Sequence, residues 1–145
     1  MIVITDSNII VSALIKPNGT VAKIFKDKSQ LQFYAPSFLK TEISNHLNKI
    51  ITATNFSKKE LQQELNYYFE KIKFIDISNI PKKHIIEAYL VVSDIDADDV
   101  FFVALNFYKK HKLWTSDKAL IKGLEAKGYK ICITTEEIKG SLYKK

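Results

Sequence analysis

The feature that most constrains this chain is the way its hydrophobic spacing alternates between strand-like and helix-like segments. Residues 2–5 (IVIT) form a short β-rich run, and the apolar stretch 9–15 reads as a helix stopped at the turn Lys16-Pro17-Asn18-Gly19. Thr20 heads a second helical segment to about Lys28, and residues 31–35 (LQFYA) alternate as a strand. Beyond Ser37, the residues Phe38, Leu39, Ile43, Leu47 and Ile50 fall near one helix face. Ser57 and Glu60 make a capping box for a helix to about Ile72, followed by a strand from Phe74 to Ile77. Pro81 fits the first turn of a helix reaching about Val92. Residues 97–110 read as helix, 112–115 (KLWT) as strand, 117–127 as a helix closed by Gly128, and 130–134 (KICIT) as the last strand. Strands alternating with helices predict a three-layer α/β/α sandwich around a mainly parallel sheet. The four glycines and three prolines do not gather into a linker, so residues 1–145 are expected to form one domain.

Composition narrows the function classes. A hydrophobic share of 46% in 145 residues supports one core, and no apolar run approaches the roughly 18 residues of a membrane span. The start MIVITDSNII is interrupted by an acid at position 6, which fits a buried strand better than a secretory leader. The lone Cys132 excludes an internal disulfide and a multi-cysteine metal site, and reads as a buried small residue in a reducing cytosol. A cytoplasmic protein is therefore expected. The formal charge of +6 raises the odds of an anionic partner such as nucleic acid, although lysine pairs such as Lys58-Lys59 and Lys82-Lys83 also suit solvated helix faces.

The acids are placed unevenly. Asp6 ends the first strand, Asp117 follows the KLWT strand, Asp99 lies in the first turn of the preceding helix, and Glu42 follows the LQFYA strand by about one and a half helical turns. In open parallel sheets the carboxyl ends of the strands form the ligand crevice. Carboxylates gathered there repel one another unless a cation neutralises them or some are protonated. Oxygen ligands of this kind suit Mg²⁺ or Mn²⁺, which can polarise a phosphodiester and lower the pKa of a bound water. Each acid also has a plainer use. Asp6 and Asp117 can cap helices, Asp96, Asp98 and Asp99 can complement a helix dipole, and Glu42 can be a solvated helix residue.

Other residues admit similar pairs of readings. His46 lies four positions after Glu42 and suits a surface Glu–His pair as well as a place beside the site. Tyr67, Tyr68 and Phe69 can stack bases, or divide between core and a helix contact, while Trp114 belongs to the core. Lys16, Lys40 and Lys118 lie near the acid-bearing edge and are the candidate phosphate contacts.

Three stretches resemble a known family. VITDSNIIVSAL is similar to the opening of PIN domains, DADDVFFVALN (Asp96 to Asn106) to their third block, and LWTSDKAL (Leu113 to Leu120) to their fourth. Glu42, in SFLKTEISNHL, corresponds to the family's helical glutamate. The resemblance spans nearly the whole chain and implies a Mg²⁺- or Mn²⁺-dependent ribonuclease. Water would attack phosphorus and a 5′ phosphate would be left. It makes Asp6, Glu42, Asp99 and Asp117 the acidic quartet, with Asp96 a fifth member and the spacing to Phe102 favouring Asp99 over Asp98. It also implies that Asn8 orients Asp6 or a bound water, and that Thr115 and Ser116 hydrogen-bond a carboxylate or phosphate. Small PIN proteins are often toxins paired with an antitoxin and usually form homodimers, which an exposed apolar patch on the helices after Glu42 would suit. A non-catalytic RNA- or partner-binding module is the alternative. Aspartyl-phosphate chemistry is disfavoured, because Asn8 stands where the second acid would be needed.

Overall fold

The computed structural model describes residues 1–27 and 31–142. Five strands, β1 (Ile2–Thr5), β2 (Gln32–Pro36), β3 (Ile72–Ile75), β4 (Lys112–Trp114) and β5 (Cys132–Ile133), form one sheet in the order β3-β2-β1-β4-β5. Every pairing is parallel, with Val3 opposite Phe33 and Thr5 opposite Trp114. β1 is central, and its Val3, Ile4 and Thr5 are fully buried, which is why IVIT reads as a continuous apolar run rather than an alternating one.

The helices are α1 (Ser7–Ile15), α2 (Thr20–Lys26), α3 (Phe38–Asn45), α4 (Leu47–Ala53), α5 (Lys58–Glu70), α6 (Lys82–Asp96), α7 (Val100–Lys109), α8 (Lys118–Ala126) and α9 (Thr135–Leu142). The connections β1→β2→β3 move toward one edge, whereas β3→β4→β5 move back toward the other. Right-handed crossovers therefore place α1–α5 on one face and α6–α8 on the opposite face. Packing agrees. Phe25 of α2 stacks at 4.2 Å on Phe33 and meets Tyr68 of α5 and Trp114 of β4, while α7 lies against β1, β2 and β4 beneath α6. The predicted three-layer parallel architecture is the one observed.

This topology also fixes where a ligand crevice falls. β1 and β4 are neighbours whose outgoing connections run in opposite directions, so the gap beyond their carboxyl ends is the topological switch point. Asp6 follows β1 directly, and Asp117 lies three residues past β4.

Several boundaries differ from expectation for local reasons. The helix expected beyond Ser37 breaks at His46 (φ −110°, ψ 16°), whose N–H is shared among the carbonyls of Glu42, Ile43 and Ser44. Ser44 and Asn45, weak helix formers that compete for backbone groups, precede the break. β3 begins two residues early, and Asp76 stops it by accepting from Ser78 N (2.9 Å) to start a 3-10 turn. Residues 97–99 are a 3-10 turn rather than α-helix, because Asp96 is extended and its Oδ1 accepts from Asp98 N at 3.0 Å. α2 ends at Lys26, and its expected end at Lys28 lies outside the described residues. The capping box at Ser57 and Glu60 forms as predicted. Helix α9 was not anticipated, although Thr134 and Glu137 carry the same box and Ile138 is fully buried. No described helix is long and apolar enough to cross a membrane.

Candidate metal centre

The site begins where β1 gives way to α1. Asp6 is buried, and its Oδ1 accepts from Ile9 N (3.0 Å), so it caps α1. The cap uses part of the carboxylate only. The buried Thr115 hydroxyl also bonds Asp6 and accepts from Asp117 N (3.1 Å), so one side chain ties together the ends of β1 and β4. Asp117 in turn caps α8 through Leu120 N (3.1 Å). The plainer reading of these aspartates is thus the one observed, and it is compatible with ligation, since a carboxylate can accept a cap hydrogen bond and keep its other lone pairs.

Asp96, Asp99 and Asp117 each place a carboxylate oxygen within 4.8 Å of the other two. Asp99 is half-buried and turned into this triad, whereas Asp98 is exposed and lies near Glu42 instead. The sequence quartet is therefore rearranged. Asp96 joins the closest group, and Asp6 and Glu42 stand beside it rather than in it. Glu42 is positioned from α1, where Ser7 Oγ donates to its Oε1 at 2.9 Å.

The electrostatics show how costly the arrangement is without a cation. Burial, then the charges of Asp96, Asp6, Glu42 and Asp117, push Asp99 up to about 8. Burial raises Asp6 to about 6 against the opposing hydrogen bonds from Thr115 and Ile9. Glu42 rises to about 7, again mainly through burial, with Ser7 opposing and Asp98, Asp6 and Asp96 adding to the rise. Cys132 on β5 is driven to about 12 by burial and by the same Asp6 and Asp99 charges. Among the described residues the only salt bridge is Lys127–Asp94, so no described cation pairs with these acids. The donors are all hard oxygens, and their raised protonation is what a divalent ion would relieve, so the residues fit Mg²⁺ or Mn²⁺.

The remaining expected residues divide. Asn8 gives its backbone N–H to Asp6 while its side chain is exposed, and Ser116 is exposed. Lys16 and Lys118 are exposed, Lys118 immediately after Asp117. Lys40 leans over the Phe74 ring at 4.3 Å, at the β3 edge, and sits about 200° around α3 from Glu42, away from the acids. Tyr68 is buried and Tyr67 partly exposed, so that pair straddles its helix, and Trp114 is core. Ser7 was missed by reading the sequence. The only sign of it was a hydroxyl residue in the first turn after the strand-end aspartate, and its partner is 35 positions away. For the RNA cleavage that the family resemblance implies, Ser7→Ala is expected to lower the rate roughly 10-fold or more, since it frees the Glu42 carboxylate. Ser7→Thr should restore it, and an unchanged rate in Ser7→Ala would deny the Ser7–Glu42 hydrogen bond a role.

Comparison with known proteins agrees with this geometry. No curated protein matches the chain. Among solved structures, one similar chain comes from the crystal structure of VapBC2 from Rickettsia felis bound to a DNA fragment from their promoter. It aligns with a TM-score of 0.64 at 20% identity, covering 92% of this chain and 97% of that one. The match to the PIN domain family runs from residue 4 to residue 142 and includes every acid of the cluster. With that match over nearly the whole chain, and carboxylates converging at the switch point of a five-stranded parallel sheet, this chain belongs to the PIN domain family, whose members are generally nucleases that use divalent metals.

Proposed function

We propose that the chain is a Mg²⁺- or Mn²⁺-dependent ribonuclease acting as the toxin of a toxin–antitoxin pair. The observation that carries the reading is the convergence of Asp6, Glu42, Asp96, Asp99 and Asp117 at one crevice with no ion pair to a cation among the described residues. Asp96, Asp99 and Asp117 would hold the ion, with Asp6 and Glu42 beside it. When bound, the ion would polarise the phosphodiester and steady the developing charge on the leaving 3′ oxygen. Glu42, fixed by Ser7, accepts the proton of the attacking water. A P–O bond forms to that water, the bond to the 3′ oxygen breaks, and a 5′ phosphate remains. Exposure of Lys118 directly after Asp117 supports it as a phosphate contact, exposure of Lys16 past the end of α1 supports it less, and the stacking of Lys40 on Phe74 does not support that residue.

The fold shared with the VapBC2 chain supports an antitoxin as the protein partner. Helix α6 exposes Ile86, Tyr89 and Leu90 on one stripe, which supports a homodimer through that helix. The direct test is cleavage of labelled single-stranded and structured RNA with Mn²⁺ by wild type, Asp6→Asn and Asp117→Asn. Wild type should cut, and each variant should lose on the order of 10²-fold or more. Equal rates in all three, or no cleavage by wild type across a broad RNA panel, would leave the non-catalytic binding module as the better reading.

A further inference from the structure

A groove leads away from the acids between α1 and the broken helix α3–α4, and the cleavage chemistry above does not use it. It encloses about 280 Å³. Val11 and Ile15 form one wall, and Ile43, Ile50 and Ala53 the other. Ser7, Asn8 and Glu42 close the end nearest the carboxylates, so the groove and the metal centre share residues. The break at His46 sets that ring and the Lys49 ammonium at the rim, both exposed.

We propose that this groove is a subsite for one unpaired base of the RNA, belonging to a nucleotide next to the scissile phosphate, which rests on the ribonuclease reading above. Continuity with Glu42 means that its occupant is attached to the phosphodiester lying over the acids. The apolar walls and the His46 ring suit the face of a base, since base stacking tolerates any base and depends on flat apolar or aromatic contact. The exposed Asn8 amide is placed to read a base edge. Charge selects the occupant further. The acids repel an anion, whereas Lys49 at the rim and Lys16 just past Ile15 attract the neighbouring phosphates. The volume is near the lower limit for small-ligand pockets, about 300 Å³, which suits one base rather than a longer apolar segment.

The test uses Ala53→Trp, which fills the groove from an exposed position, and Lys49→Ala, which removes the rim cation. Sequencing the ends made from a randomised RNA pool with Mn²⁺ should show a base preference at one position in wild type. Ala53→Trp should flatten that preference at least 5-fold and change cleavage of an RNA lacking that base less than 2-fold, whereas Lys49→Ala should slow both RNAs alike and leave the preference in place. If Ala53→Trp slows the abasic RNA equally, or leaves the preference intact, the subsite is overturned. If wild type cuts no RNA, the ribonuclease reading fails separately, and binding of a labelled hexanucleotide decides the groove. Removing one base should then weaken binding at least 5-fold in wild type and not in Ala53→Trp, and equal affinities would overturn the proposal. Loss of antitoxin binding with base preference unchanged would make the groove a protein-docking surface and would also overturn it.

Discussion

Asp99→Asn is expected to make the metal-free protein more stable at pH 8 while destroying its response to metal. Asp99 carries the largest strain in the site, its carboxyl raised from 3.8 to about 8 by burial and four neighbouring acids. A tenfold change in the acidity of a carboxyl corresponds to about 1.4 kcal/mol, and after allowance for solvent screening and relaxation of the other acids the gain should be roughly 2–4 kcal/mol. For a domain of this size that is a rise of roughly 5–10 °C in melting temperature in EDTA. Millimolar Mn²⁺ should stabilise wild type by mass action and leave Asp99→Asn nearly unmoved. A variant that melts lower than wild type in EDTA, or gains as much from Mn²⁺, would remove Asp99 from the site. The trade is one expected of a functional cluster: the groups that do the chemistry oppose folding.

The second large effect is in pH. Asp6, Glu42 and Asp99 all have folded-state values raised above the ordinary carboxylate range, to about 6, 7 and 8. A raised acid adds no cost below its unfolded value, and its full cost applies only above its folded one. Metal-free stability should therefore fall as pH rises from about 4 to about 8, most steeply below about 6, where all three groups contribute, and above about 7 through Asp99 alone. The contribution of the site is read as the difference between wild type and Asp99→Asn in EDTA, which cancels titration elsewhere. With Mn²⁺ present the difference should flatten, since the ion replaces the protons. A difference that stays constant from pH 5 to 8 in EDTA would show that Asp99 is not the strained group.

What could be read from the sequence follows from the range of the interactions involved. β1, the capping box at Ser57 and the strand-end positions of Asp6 and Asp117 are local patterns, and all appear where the residues place them. The family match runs over residues 4–142 and so takes in both strand-end aspartates. The sequence named Asp96 as a fifth acid and Asp99 over Asp98, but not how the acids are grouped, because the Asp96 Oδ1 accepts from Asp98 N and replaces α-helix with a tighter turn. A 3-10 turn separates successive residues by about 120°, and that rotation turns Asp99 inward and leaves Asp98 at the surface. Ser7, Thr115 and the displaced Lys40 depend on contacts between elements distant in sequence, which spacing does not encode. The break at His46 sits between, since Ser44 and Asn45 announce a weak helix but not the groove it opens.

The double use of Asp6 and Asp117 as helix caps has a consequence for how such a protein can change over generations. Asparagine caps a helix about as well as aspartate, so either residue can lose its charge while the first turns of α1 and α8 stay fixed. The codons for the two amino acids differ by one nucleotide. A lineage can therefore give up the proposed catalysis in a single step and keep a folded scaffold, whereas a change to alanine at the same position would also lose the cap, about 1 kcal/mol.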